Sequence, residues 1–233
     1  MLYPKNKNEK LSSELFAAPT CEYRGAPFWS WNCRLDRDEL LRQAGILGEM
    51  GFGGYHMHVR SGMATPYLSD EFMSLIHTCV DKAEQSHMLA WLYDEDRWPS
   101  GFAGGLVTKD EKYRIRYLLF TPYSYEEVGG KIRVGNEQAT ALRSGNGRLI
   151  ARYSVTLDEN FRLASYRRLA DGESADEGGR VFYAYLESPH VTPRYNGYTY
   201  VNTMDKAAIE RFVEVTHEAY LREIGDRFGT VVP

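Results

Sequence analysis

Between Ala26 and Tyr93 the apolar pattern of the chain switches period four times, and this alternation constrains the fold more than any other feature. Ala26–Asn32, APFWSWN, reads as a short aromatic strand. Asp36 then stands where a helix cap belongs, with Glu39 three residues on in capping-box position. Leu40, Ala44 and Leu47, joined by Leu41 and Met50, share one helical face, and Gly51 suits the C-terminal stop. Phe52–Val59, FGGYHMHV, reads as a second strand. Ser69 caps a second helix, in which Phe72, Leu75, Ile76, Cys79, Val80 and Ala83 recur at three- and four-residue spacing. Asp70 and Glu71 suit its positive end. Leu89–Tyr93 supplies a third strand. Such alternation predicts parallel strands with helices packed outside them.

From Lys112 to Glu187 the signals become β: YRIRYLLF, GGKIRV, RLIARYSV, FRLASYRRL and RVFYAYL. Gly129-Gly130 and Asp158-Glu159-Asn160 mark turns between them. Arginines alternate with apolar residues, as on an antiparallel sheet with one wet face. A helical period returns after Asp205, where Ala208, Phe212, Val215 and Ala219 share a face and Gly225 ends the run. Gly229–Pro233 then reads as the start of a fourth strand. The expectation is an α/β fold, a partial (β/α)8 TIM-type barrel of three to four strands carrying an inserted antiparallel β region. A complete barrel takes about 250 residues before insertions. The boundaries are an N-terminal arm over 1–25, barrel segments 26–111 and 196–233, and an inserted subdomain over 112–195.

Charge and composition exclude several classes. With 28 basic and 32 acidic residues the net charge is −4, and no polybasic stripe marks a nucleic-acid surface. No window approaches the roughly 18 apolar residues of a membrane span, and MLYPKNKNEKLSSELF lacks the apolar core of a secretory signal. Cys21, Cys33 and Cys79 are odd in number and have no CxxC spacing, so reduced thiols and a cytoplasmic location are expected. Gly101, Gly104 and Gly105 match no phosphate-loop spacing, which argues against a nucleotide site.

Chemistry is expected where strands end. The first strand ends at Trp29-Ser30-Trp31-Asn32, the second at His56-Met57-His58-Val59-Arg60, and the third at Tyr93-Asp94-Glu95-Asp96-Arg97-Trp98. Three adjacent carboxylates repel one another and persist only if solvated, paired, bound to a metal or used. If the strand stays extended, Asp94 and Asp96 share one side and Glu95 takes the other. Two carboxyls serving a glycosidase sit about 5–5.5 Å apart for retention or about 6.5–9.5 Å for inversion. Neighbours on one strand end fit that opposed pair poorly; they suit sugar hydroxyls, the tuning of another acid, or a hard cation such as calcium. No other cofactor is implied. Each feature also has a plainer reading: a solvated acidic loop paired with Arg97 and Arg60, core histidines, packing tryptophans, and a Trp98-Pro99-Ser100-Gly101 turn.

PFWSWN, GFGGYHMHVRSGM, YLSDEF and WLYDEDRWPSGFAGG together resemble the start of the catalytic domain of glycoside hydrolase family 106, the α-L-rhamnosidase-like proteins. The resemblance covers roughly 26–105 and resumes at 200–229, YVNTMDKAAIERFVEVTHEAYLREIGDRFG. It implies a (β/α)8 barrel with added β domains and a carbohydrate substrate. Glu95 and Asp94 become the candidate catalytic acids. Trp31, Asn32, His56, His58, Arg60, Asp96 and Trp98 become the candidate sugar-binding residues. Asn202 stands where Asp is expected, and the relatives' next acid-bearing strand lies beyond Pro233, so the chain is expected to be an incomplete catalyst. Two rival readings stand beside this one. A metal-dependent amidohydrolase-like barrel would use His56 and His58, and a non-catalytic fragment would only bind carbohydrate. Open strand edges would favour self-association.

Overall fold

The computed structural model describes residues 10, 12–124, 131–133, 140–142 and 147–233, with the backbone alone for 131–133 and 140–142. It divides into two compact units, Met1–Val107 with Lys206–Pro233, and Thr108–Asp205. The Gly129-Gly130 turn and the first nine residues of the N-terminal arm lie outside the described residues.

The first unit begins with a short helix, α1 (Ser13–Ala17), and is built on strands β1 (Phe28–Trp31), β2 (Gly54–Val59) and β3 (Leu89–Trp91). Helices α2 (Arg37–Glu49) and α3 (Asp70–Gln85) connect them. The strands are parallel in the order β1-β2-β3, with Phe28 opposite His56 and His56 opposite Trp91. Asp36 caps α2 by accepting from the Glu39 backbone N–H at 2.9 Å. The return half of the capping box is not made, because the Glu39 carboxylate takes Arg42 and Gln43 instead. Ser69 caps α3 by accepting from the Phe72 N–H at 3.2 Å. Trp29, Trp31, Tyr55, Met57 and Val59 point toward the helices and bury against Leu40, Ala44, Phe72, Ile76, Cys79 and Val80. The Tyr55 hydroxyl donates to the Cys79 carbonyl inside that core at 2.6 Å. The glycines at the start of β2 have a steric cause: a Cβ on Gly54 would lie 2.1 Å from the Leu89 carbonyl oxygen.

The second unit carries β4 (Tyr117–Thr121), β5 (Lys131–Arg133), β6 (Thr140–Leu142), β7 (Arg148–Leu157), β8 (Leu163–Leu169) and β9 (Arg180–Glu187). Four of these form an antiparallel sheet in the order β4-β9-β7-β8, and β5 pairs with β6. Asp158 closes the β7–β8 hairpin, its carboxylate accepting from the N–H groups of Asn160 and Arg162 at 2.9 Å each. The chain returns to the first unit in α4 (Lys206–Val215) and α5 (His217–Ile224). A single helix is expected there; Thr216 breaks it, with φ −110° and ψ −75° and its hydroxyl donating to the Phe212 carbonyl at 2.6 Å.

The expected partial barrel is not found. The described residues hold an open three-stranded parallel sheet and a separate four-stranded antiparallel sheet, and the strand–helix alternation is not resumed after β3. The antiparallel strands spend their backbone hydrogen bonds on one another through hairpin-type ladders, so they add nothing to the parallel sheet. Gly229–Pro233 does not form a fourth strand. It makes one isolated bridge, Phe228 with Val232, and the Val231 carbonyl accepts a bond from the Ala90 N–H. Among the described residues no helix is long and apolar enough to cross a membrane.

Candidate functional site

Parallel pairing sets the C-terminal ends of β1, β2 and β3 along one edge of the sheet, the edge at which open α/β sheets take ligands. Asn32, Arg60 and the segment Tyr93–Asp96 leave the sheet there. Side-chain alternation then divides the candidates between two faces.

Trp31 belongs to the core. It is 1% exposed, and its ring lies 5.5 Å from Trp29 and 5.9 Å from Phe72. Its indole N–H has no partner among the described residues. The face turned away from the helices carries Phe28, His56, His58, Trp91 and Tyr93. His56 stacks on Trp91 at 5.0 Å, and Phe28 lies 5.0 Å from His56 and 5.1 Å from His58. The His58 ring meets Tyr93 at 4.0 Å. Burial pushes the His58 pKa below its ordinary value, and the charges of Arg60 and His56 add to that. The Nδ1 atoms of both histidines are buried without a partner among the described residues. Burial also pushes Tyr93 up to about 12, helped by its hydrogen bond to Glu95 and the nearby Glu95 and Asp94 charges.

The three acids do not follow strand alternation, because the extended ladder stops at Trp91. Asp94 and Glu95 turn to one partner instead. The Ser100 hydroxyl lies 2.7 Å from Glu95 Oε2 and 3.0 Å from Asp94 Oδ1, in donating geometry to each. A hydroxyl carries one proton, so Ser100 donates to one carboxylate at a time. Glu95 is 1% exposed, whereas Asp94 opens to solvent and approaches His217 Nε2 at 3.6 Å. Asp96 turns elsewhere, to Arg97 Nε at 3.1 Å.

Beside the acids lies a cavity of about 560 Å³. Leu92, Val213, Leu221 and Phe228 give it apolar walls, and Asp94, His217, Glu218 and the tyrosines Tyr93 and Tyr220 supply its polar groups. The Tyr220 hydroxyl, also at the wall, donates to the Tyr93 carbonyl at 3.3 Å and ties α5 to the end of β3. His217 is itself held by Thr216, whose hydroxyl lies 3.0 Å from Nδ1. The break between α4 and α5 therefore also orients the imidazole.

The structure thus brings Asp94 and Glu95 together, with Tyr93, His58 and Arg60 close by. It does not bring in Trp31, which is core, or Trp98, which is 64% exposed and not among the cavity residues. Asn32 is exposed, and its carbonyl lies where any side chain at position 62 would meet it, 2.8 Å from a Cβ on Gly62. Three residues with a part in the site were not selected from the sequence. Ser100 reads there as a turn residue, His217 lies 123 positions beyond Asp94 in a helix with no motif, and Phe28 looks like strand packing. Only the β period could have flagged Phe28, since it shares a face with His56 and His58 through the register. Among the described residues no group of three or more His, Cys, Asp or Glu side chains is placed to hold a metal ion. Comparison with protein-family models finds none that matches the chain, and comparison with curated proteins finds no match either.

Proposed function

We propose that the first unit binds a glycoside at the C-terminal edge of its parallel sheet, in the manner of an α-L-rhamnosidase-type glycoside hydrolase, with the cavity beside Asp94 as the sugar subsite. The observation that carries this reading is the cavity itself: apolar walls with the carboxylates of Asp94 and Glu218 and the imidazole of His217, backed by the buried Glu95 through Ser100. A deoxyhexose has a methyl group and a C–H ring face to lay on Leu92, Leu221 and Phe228. Its hydroxyls suit Asp94 and His217, which both accept and donate as protonation allows.

Glycoside hydrolysis needs an acid to protonate the leaving oxygen and a second carboxyl to act from across the bond. Asp94 and Glu95 reach the same hydroxyl and so stand on one side of any bound sugar. Asp96 is engaged by Arg97. These residues can bind a sugar, but they do not make an opposed pair, and turnover by this chain is expected to be negligible. The test is calorimetry with L-rhamnose and an aryl α-L-rhamnoside, together with an assay for release of the aryl group. Binding without release supports the proposal. Absence of binding overturns it, and fast release overturns the assignment of both acids to one side. Calcium belongs to the same proposal through the open side of Asp94, and its sign would be sugar affinity that rises on adding calcium.

One observation favours a second reading. The Nδ1 atoms of His56 and His58 are both buried and both without a described partner, on one face of one strand. A zinc ion would take such nitrogens at about 2.0–2.1 Å. Stoichiometric zinc in the purified chain, lost on replacing either histidine, would select a metal-dependent hydrolase over the sugar site.

A further inference from the structure

Thr216, the residue that separates α4 from α5, is fully buried, so its hydroxyl bonds only to what the fold offers. Two groups are in reach. The Phe212 carbonyl oxygen lies at 2.6 Å and His217 Nδ1 at 3.0 Å. A carbonyl brings no proton, and two oxygens that close repel unless a hydrogen lies between them. The hydroxyl proton therefore goes to Phe212, the back-bond that a threonine makes to the carbonyl four residues earlier. A hydroxyl has one proton, so toward Nδ1 the Thr216 oxygen can only accept. Nδ1 is then the nitrogen that carries a hydrogen.

This fixes the rest of the ring. A neutral imidazole has one N–H and one lone pair, so a proton on Nδ1 leaves the lone pair on Nε2. Nε2 is the atom turned to Asp94, 3.6 Å from Oδ2, and both residues line the cavity of about 560 Å³. Phe212 holds the ring from its flank, edge-on at 5.4 Å and 82°. Nε2 in the neutral ring and Oδ2 of an ionised Asp94 are both acceptors, and neither supplies a hydrogen to the other. What satisfies them is a donor: a second proton taken up on Nε2, or the hydroxyl groups of a ligand in the cavity.

We propose that Thr216 is a positioning residue for His217. It confines the neutral ring to the Nδ1–H tautomer, so that Nε2 and the Asp94 carboxylate form an acceptor pair that takes a hydroxyl-bearing ligand and refuses one whose hydroxyls are methylated. The tautomer follows from the hydrogen bonds alone; a sugar as the hydroxyl-bearing ligand rests on the glycoside reading given above.

The test is two-bond proton–nitrogen NMR on the full chain, labelled at histidine with heavy nitrogen and recorded from about pH 5 to 9. His217→Gln assigns the signal by its loss. The neutral form of His217 should show Nδ1 protonated and Nε2 bare. Thr216→Val keeps the branched shape without the acceptor and should return the ring to the Nε2–H form, and Thr216→Ser should restore Nδ1–H. A merely structural role for Thr216 would not move the tautomer in this way. By calorimetry, methyl α-L-rhamnoside should bind about tenfold more weakly to Thr216→Val than to the unaltered chain or to Thr216→Ser, and its fully O-methylated derivative should not bind. An Nε2–H ring in the unaltered chain overturns the proposal with no variant needed. So does a tautomer unchanged by Thr216→Val, or a rhamnoside affinity unchanged once the tautomer has switched. The expected tautomers in a chain that binds no rhamnoside would support the assignment of Thr216 and overturn the sugar reading alone.

Discussion

Ser100 shows how one small side chain can organise two acids. Its hydroxyl lies within reach of both Asp94 and Glu95, so removing it takes away the donor that the two carboxyls have in common. Ser100→Ala should weaken sugar binding by about tenfold, and Ser100→Thr, which keeps the hydroxyl, should restore most of it; calorimetry on the three proteins checks this. His58 has a different sensitivity. Burial lowers its folded pKa, so the unfolded chain takes up a proton as pH falls through about 6.5 while the folded chain resists until the lowered value is reached. The stability it contributes is therefore present above about pH 6.5 and is lost as pH falls from there through the folded value. Urea unfolding across about pH 5 to 8 should show that acid-side decline, and His58→Phe should make it shallower; an unchanged slope would remove His58 as its source. At this scale the sequence displays which residue types are present, and the acids and histidines at strand ends are conspicuous in it. The role of Ser100 is not, because a serine in a Pro-Ser-Gly turn has the same local signature whether or not two carboxyls converge on it.

Elements were legible where their signal is local. Asp36 and Ser69 stand at the starts of α2 and α3 because each can accept from a backbone N–H three residues on. Asp36→Ala should cost about 1 kcal/mol, measured by urea denaturation. Gly54→Ala should be far worse, about 3 kcal/mol or more, since its Cβ would overlap the Leu89 carbonyl of the neighbouring strand and neither backbone can retreat. Circular dichroism with thermal melting distinguishes the two outcomes. The ends of elements were read less well. β3 stops at Trp91, short of the apolar run, because beyond it Tyr93, Asp94 and Glu95 are drawn to Ser100 and α5 and not to a strand ladder. The break at Thr216 falls within a continuous apolar stripe. Periodicity does not register it, since the stripe is carried on by Ala219 and Tyr220 on the far side.

At the scale of the whole molecule the parallel sheet is left open, and its outward face presents Phe28 at 65% exposure beside His56 and His58. An exposed edge and an apolar ring invite pairing with a second copy. Sedimentation equilibrium should show apparent mass rising with concentration, and Phe28→Lys should suppress the rise; a concentration-independent mass would reject self-association. Strand–helix alternation over the first part of the chain, the change to β signals after Lys112 and the return of a helix after Asp205 are all visible in the sequence, because each depends on side-chain period within one segment. Closure is another matter. Whether parallel strands curl into a barrel depends on which backbone edges meet, and edges carry no residue code. The order β1-β2-β3, the separate β4-β9-β7-β8 sheet, and the meeting of Asp94 with His217 were therefore decided only by tertiary structure, where packing and hydrogen-bond register join segments far apart in the chain.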